Sequence, residues 1–460
     1  MEKAKAKKAA SIFRRVLAEI KPSKEETTRL IENVNMLTNR LKGIVGNNVE
    51  IRVAGSIARN TNLKGTADID IFLLFSSDVK RDELVRRGLS YGKTLIKKNE
   101  GDRYEIRYAE HPYIRVYITS VGIKADIVPA YRIDSAEELA TSVDRTPLHT
   151  EFINTSLDET QRDEVRLLKY FLKAHGIYGA EVKTGGFSGY LCELLIYAYG
   201  SFLRLLESFS ECRLPLILDP MRKETLENAT LINTFKSQFI VIDPVDQKRN
   251  VSAGVSIESL SRFVLAARRF VQKPDISLFY GKGFSSDESP ILLKRFIEES
   301  GLDTFLIATK VPDLSVDTVW PQLRKLSEMA CTYAARFGFE AYLAVPWVEG
   351  KEGLILLAFP RKKLKARMFK GPDVFLRSAS SNFLSSHAKA LGILVSGSTL
   401  YAIDRNRYSS PGDVIAEIVS GKAVHPRKGV SLKGATVYTN RIPKKYSNSA
   451  YSELIKRINV

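Results

Sequence analysis

The chain is 460 residues long; with 44% hydrophobic and 27% charged residues it reads as a folded globular protein, which excludes a disordered or collagen-like one. At roughly 150 residues per domain, the length predicts about three domains. Seventy Lys and Arg stand against 52 Asp and Glu, a formal charge of +18, which suits a polyanionic partner, nucleic acid first, and equally a basic surface kept for solubility.

After a basic start, Ser23 and Glu26 spell a capping box ahead of Leu30, Val34, Leu37 and Leu41. That spacing of three and four predicts one buried helical stripe, ended by Gly43 and Gly46. From Val49 the period drops to two: VEIRV and DIDIFLLF read as strands joined by GSIARNTNLKGTA, and RYEIRY, YIRVYIT and IKADIVPAY follow as further strands. Residues 1–149 are therefore expected to form a mixed helix and sheet domain. Residues 158–175 and 189–208 return to helical spacing, and with a helix from Ser256 to about Gln272 they predict a mainly helical segment over 150–272, closed by KPD. Beyond it lie strands SLFY and TFLIATKV, a helix over about 317–337 and the hairpin FEAYLAVPWVEGKEGLILLAFP, so 273–460 reads as α+β. The fold class is α+β multidomain.

Basic residues run from Arg361 to Lys370 and from Lys422 through Arg427 and Lys428 to Lys445, interleaved with Phe369, Phe375, Phe383, Tyr401 and Tyr408. Cationic side chains release counter-ions from phosphates and aromatic faces stack on bases, a mixture suited to RNA, although each aromatic taken alone reads first as core. Cys192, Cys212 and Cys331 are odd in number and lack metal-ligand spacing, so no disulfide framework and no zinc site is expected. No apolar run reaches the roughly 18 residues of a membrane span, and the start MEKAKAKKAASIFRRV is a basic amphipathic helix. The reading is a cytoplasmic protein in a reducing compartment, without a membrane partner.

The chemistry concentrates where Gly55, Ser56 and Arg59 precede Asp68 and Asp70. Residues two apart on a strand share a face, so the two carboxylates project together while Ile69 and Ile71 enter the core. Paired carboxylates repel and call for a cation between them; Mg²⁺ suits hard oxygen donors and is completed by substrate phosphates. Asp126, in an apolar strand, supplies a third carboxylate, and three can hold two metals about 4 Å apart for in-line nucleotidyl transfer. Gly55 lets the backbone approach a phosphate, and Ser56 offers an amide and a hydroxyl. Ser188 in GFSGYL reads first as a helix cap, whose hydroxyl or neighbouring amides could also take a phosphate or sugar oxygen.

The order of these parts is that of the polymerase-beta-like nucleotidyltransferases. Over nearly its whole length the sequence resembles the archaeal (class I) CCA-adding enzymes, through AGSIARNT with ADIDIFLLF, DRTPLHTEF, LLKYFLKAHGIYG, GGFSGYLCELL, VIDPVDQKRNVSAGVS and FKGPDVFLR. One departure is that the first carboxylate, often Glu in that family, is Asp68 here and reaches less far. The resemblance implies a nucleotidyltransferase head over 1–149, a helical nucleotide-binding domain over 150–272 and a transfer RNA-binding region over 273–460. It implies Asp68, Asp70 and Asp126 as catalytic metal ligands, and Ser56, Arg59, Thr146, His149, Lys169 and Tyr178 on the triphosphate. Arg249, beside Asn250, would read the incoming base; the alternative for its side chain is an ion pair with Asp243 or Asp246.

The expected activity is template-independent addition of C, C and A to the 3′ end of transfer RNA from CTP and ATP, by a homodimer. The alternatives are a poly(A) or oligoadenylate synthase of the same superfamily and a non-catalytic RNA-binding protein.

Overall fold

The computed structural model describes residues 3–66, 68–97, 100–108, 110–280, 289–423 and 429–458. Arg427 and Lys428 of the basic tail lie outside the described residues. The chain divides into two compact units, residues 1–282 and 283–460.

The first unit opens with α1 (Lys3–Ile20) and α2 (Lys24–Val45). The sequence groups α1 with the sheet domain, but its buried face, Ala9, Ile12, Phe13, Val16 and Ile20, belongs to the helical core further along. The reason is aromatic: the Phe13 ring lies 5.3 Å from Phe202 and 5.6 Å from Phe270. Each such buried ring contributes roughly 2–3 kcal/mol. Ser23 caps α2 by accepting the Glu26 amide. Glu26 does not return that bond to complete a capping box; its carboxylate accepts the Gly65 amide at 2.8 Å and ties the helix start to the loop before the next strand but one. Gly43 lies inside α2, and Gly46 ends it.

β1 (Glu50–Ala54), α3 (Gly55–Ala58), β2 (Ile69–Phe75), α4 (Arg81–Thr94), β3 (Arg103–Tyr108), β4 (Pro112–Ile118) and β5 (Ile123–Tyr131) follow. Their five strands form one sheet in the order β1-β2-β5-β4-β3. β2 and β5 are parallel and the other pairs antiparallel. One face carries Ile69, Ile71, Leu73 and Phe75 with Ile114, Val116 and Ile127, packed with residues of α2 and α4. Alternation sends Asp70 to the other face. Register then aligns Ala54, Asp70, Asp126, Arg115 and Glu105 in one row across all five strands.

α5 (Arg145–Ser156), α6 (Glu159–Ala174), α7 (Gly189–Tyr199), α8 (Phe202–Ser210), β6 (Leu216–Asp219), β7 (Glu224–Thr225), α9 (Ala229–Phe235), β8 (Phe239–Val241) and α10 (Ile257–Gln272) complete the unit. The helix expected over 189–208 breaks at Gly200, which adopts the left-handed conformation (φ 79°) that glycine alone takes without strain. SLFY is a 3₁₀ turn, Ile276–Phe279, rather than a strand. Asp275 caps that turn, and Phe279 is drawn wholly into the aromatic cluster with Phe13 and Phe171.

In the second unit, α11 (Ser289–Glu299), β9 (Leu302–Lys310), α12 (Val316–Ala335), β10 (Leu343–Glu349) and β11 (Glu352–Pro360) precede β12 (Ala366–Asp373), α13 (Arg377–Ser386), β13 (Gly392–Ser396) and β14 (Thr399–Arg405). α14 (Pro411–Val419), β15 (Thr436–Thr439) and α15 (Lys444–Ile458) end the described chain. A sheet ordered β10-β11-β9-β15 carries a core on each face, and a second sheet is ordered β12-β14-β13. Tyr408 is buried in the first of these cores, whereas Phe375 is 85% exposed.

Candidate active site

The site begins at the sheet. Asp70 and Asp126 are direct neighbours across the parallel strands β2 and β5, and Asp68 precedes Asp70 by two residues. At the end of β1 the chain turns through Gly55 with φ 73°, passing so close that a Cβ there would fall 1.8 Å from Asp70 Oδ2. Only glycine permits that approach. The Asp70 carboxyl is pushed up to about 7, first by burial, then by the charge of Asp126, with Arg59 opposing and Asp68 adding to the rise. Such a cluster is short of positive charge.

The chain supplies two cations of its own. Arg115 grips Asp126 with two parallel bonds, Nε to Oδ1 and Nη2 to Oδ2, each 2.6 Å. Lys124 Nζ stands 2.8 Å from Asp68 Oδ1. With these contacts made, no three His, Cys, Asp or Glu side chains converge as a metal cage among the described residues. The donor chemistry still fits a hard divalent cation: Asp68, Asp70 and Asp126 offer oxygen donors only, and Arg115 and Lys124 pair with Asp126 and Asp68 but leave the Asp70 carboxyl raised. Arg115 and Lys124 escaped the sequence reading because their relation to the acids depends on the pairing of β4 with β5 and on side-chain reach.

Behind the Gly-Ser turn lies a buried ionic knot. Glu193, fully buried in α7, places Oε2 3.0 Å from Arg59 Nε and Oε1 3.1 Å from Lys169 Nζ, and accepts from Thr61 Oγ1 at 2.5 Å. The Arg59 contact is an ion pair rather than an aligned hydrogen bond. Lys169 also donates to the carbonyl and hydroxyl of Thr61 at 3.1 and 2.9 Å, so its three donors are all taken within the protein. Burial lowers the Lys169 pKa; it would raise that of Glu193, but Arg59 and Lys169 together hold the Glu193 carboxyl below the usual range. Arg166, one turn before Lys169 on α6, binds the Asn60 and Asn62 carbonyls at 2.7 and 3.0 Å and clamps the same loop. Glu193 was missed by the sequence reading, although a lone acid within YLCELLIYAY is the signal that could have found it.

Arg59 is the centre of the site: its charge acts on Asp70, His149, Lys169, Tyr178, Tyr190 and Glu193. Ser56 lies in α3, half-buried, its carbonyl accepting the Thr61 amide at 2.9 Å. Tyr178 and Lys169 meet at the start of α7, where a Cβ on Gly189 would lie 3.4 Å from Tyr178 Oη and 3.7 Å from Lys169 Nζ. Ser188 caps α7 by accepting the Leu191 amide at 3.1 Å.

A second cluster surrounds the fully buried Asp243, which accepts from His149 Nε2 at 3.0 Å, Tyr190 Oη at 3.0 Å and Arg249 Nη1 at 2.8 Å. Burial alone would raise its carboxyl, but the His149 and Arg249 contacts and the Val245 amide bring it down to about 2. His149 stacks on Tyr190 with ring centres 3.9 Å apart; burial lowers its pKa, with the Asp243 carboxylate facing its Nε2 opposing that shift. Thr146 lies one turn before His149 on α5, half-buried.

Of the two ion pairs open to Arg249, the one with Asp243 forms, while Asp246 pairs with Arg145 at 3.2 Å. Asn250 is engaged by the chain itself: its Oδ1 accepts the Val241 and Ser252 amides and its Nδ2 donates to the Phe239 carbonyl. It therefore holds β8 and the loop that presents Arg249. Arg145, Gly186, Ser188, Asp246, Arg249 and Asn250 are among the residues lining a cavity of about 490 Å³, a volume within the range of small-ligand sites.

A carboxylate row at one end of a mixed sheet, a Gly-Ser turn beneath it, and a helical segment bringing cations and a cavity define a polymerase-beta-like nucleotidyltransferase. Models of known families match the chain three times: a nucleotidyltransferase domain over residues 34–149, the second domain of a tRNA nucleotidyltransferase over 163–280, and the C-terminal domain of a CCA-adding enzyme over 301–430. The CCA-adding enzyme of Methanocaldococcus jannaschii is 37% identical over 445 residues, 91% of this chain and 94% of that one. That of Archaeoglobus fulgidus is 34% identical, with 90% of each chain covered. Among solved structures, the Cid1 poly(U) polymerase aligns with a TM-score of 0.48 and 16% identity, over 59% of this chain and 98% of that one. The chain belongs to the archaeal (class I) CCA-adding enzymes.

Proposed function

We propose that the protein adds C, C and A, without a template, to the 3′ end of transfer RNA, using CTP and ATP and releasing pyrophosphate. The observation that carries this reading is the pairing of Asp70 with Asp126 directly beside the Gly55 turn. Asp68, Asp70 and Asp126 would hold Mg²⁺, which when bound lowers the pKa of the RNA 3′-hydroxyl and neutralises charge at the reacting phosphate. The 3′-hydroxyl gives up its proton to solvent, its oxygen forms a bond to the α-phosphorus as the bond from that phosphorus to the bridging oxygen breaks, and pyrophosphate departs with the electron pair.

Around that step Ser56 and Arg59 receive the triphosphate, Arg59 facing Glu193 through its Nε. Glu193, Lys169 and Thr61 hold Arg59 in place. Tyr178 and Ser188 border the sugar and phosphate side, Thr146 is assigned to the triphosphate, His149 supports Asp243, and Asp243 orients Arg249 toward the base, with Asn250 bracing that loop. We assign the head to 1–149, the helical nucleotide-binding domain to 150–272 with α1 packed on it, and the RNA grip to 273–460. The working form is a homodimer in the cytoplasm; among the described residues no helix is long and apolar enough to cross a membrane.

Transfer RNA lacking its last three nucleotides, incubated with each nucleotide alone and with CTP and ATP together, tests the reading. Addition that stops after C, C and A supports it. Unlimited extension with ATP alone would mark a poly(A) synthase instead, and no incorporation with tight RNA binding a non-catalytic binder.

A further inference from the structure

Arg115 is opposite Asp126 in the antiparallel pairing of β4 with β5, and its planar guanidinium meets both oxygens of that carboxylate at 2.6 Å. The same group lies 3.8 Å from Asp68 Oδ2, while Lys124, two residues before Asp126, contacts Asp68 Oδ1 at 2.8 Å. The pair is well shielded: Asp126 is 7% exposed. A two-pronged guanidinium-carboxylate contact of this kind is a strong, charge-assisted one. A divalent cation would draw on the same two oxygens, and although each has two lone pairs, the positive guanidinium held against them opposes its entry.

We propose that Arg115 is an internal, exchangeable counter-ion of the catalytic acids: it occupies Asp126 until a divalent cation displaces it. The idea rests on the reading of Asp68, Asp70 and Asp126 as metal ligands. It has two consequences. Metal binds weakly to the protein alone, because each binding event must first break the Arg115 contacts. Nucleotide and metal bind cooperatively, because the triphosphate offers the released guanidinium a new anionic partner, and coupling of this kind is reciprocal.

The measurement is Mn²⁺ binding to the full chain without RNA or nucleotide, followed by the loss of the free-ion electron paramagnetic resonance signal. Arg115→Gln, which removes the charge, should bind Mn²⁺ at least tenfold more tightly than the unaltered protein. Arg115→Lys, which keeps the charge but loses the two-pronged contact, should fall between them, and either variant alone suffices should the other fail to fold. Adding CTP should tighten Mn²⁺ binding more in the unaltered protein than in Arg115→Gln. Equal or weaker Mn²⁺ binding in the folded variants, with binding lost in Asp126→Asn, would overturn the exchange while leaving the metal ligands standing. Mn²⁺ binding indifferent to Asp126→Asn would remove both.

Discussion

Glu193 and Arg59 meet across two separate stretches of the first unit, carboxylate Oε2 to guanidinium Nε at 3.0 Å, with the acid wholly out of solvent. Lys169 shares the same carboxylate, so one negative charge answers two buried positive ones. Removing it as Glu193→Ala strands both cations, at a cost of about 3–5 kcal/mol. Glu193→Gln keeps the shape and removes the charge. We expect the Ala variant to melt markedly lower and the Gln variant to fold with a KM for nucleotide raised about tenfold, roughly one mislaid charge-assisted contact. Steady-state kinetics beside a thermal melt will tell; a Gln variant with unaltered KM argues that the knot is purely structural.

Asp126→Ala should reduce nucleotide incorporation on the order of a thousandfold, several kcal/mol of transition-state stabilisation, while transfer RNA affinity changes little. Single-turnover incorporation and a filter-binding titration separate the two quantities. Surviving activity would remove the three-carboxylate mechanism.

Arg249→Ala should relax the choice of C and A over U and G by roughly tenfold to a hundredfold, the worth of a lost charged hydrogen bond or two. Competition between nucleotides on one transfer RNA gives the ratio directly. Unchanged selectivity would leave Arg249 as no more than a partner of Asp243.

Asp243 makes a pH-dependent contribution to stability. Its carboxyl is held at about 2 in the folded protein against an ordinary 3.8. A group with a lowered folded value stabilises the fold above its unfolded value, and the contribution, roughly 2 kcal/mol here, is lost as pH falls from about 4 toward 2. The melting-temperature gap between the unaltered protein and Asp243→Asn should narrow as pH falls below about 4. A gap that widens on acidification contradicts the assignment.

The charge surplus predicts that transfer RNA affinity falls on the order of a thousandfold or more between about 50 and 200 mM salt, as expected for six or more phosphate contacts. A flat response would mean that the basic surface of the second unit serves solubility alone.

Much of this architecture is legible in the residues. The period-two runs mark β1 to β5 because alternation at a half-buried sheet leaves a strong pattern, and Asp68, Asp70 and Asp126 stand out as acids inside apolar strands. What stays hidden is whatever depends on distant pairing. The seat of α1 follows from Phe13 meeting rings more than 180 positions away, and the partners of Glu26 and Lys169, Gly65 and Glu193, lie on segments that no local spacing relates. SLFY reads as a strand because its composition is right; the Asp275 cap and the burial of Phe279 decide otherwise.

The row that crosses the sheet from Ala54 to Glu105 also bears on how the molecule assembles. Were β5 to slip by one place against its neighbours, Asp126 would be carried into the oily side of the layer, where a lone carboxylate is penalised by several kcal/mol. The acids proposed for the chemistry thus double as an alignment key, rejecting misthreaded strands before any nucleotide arrives.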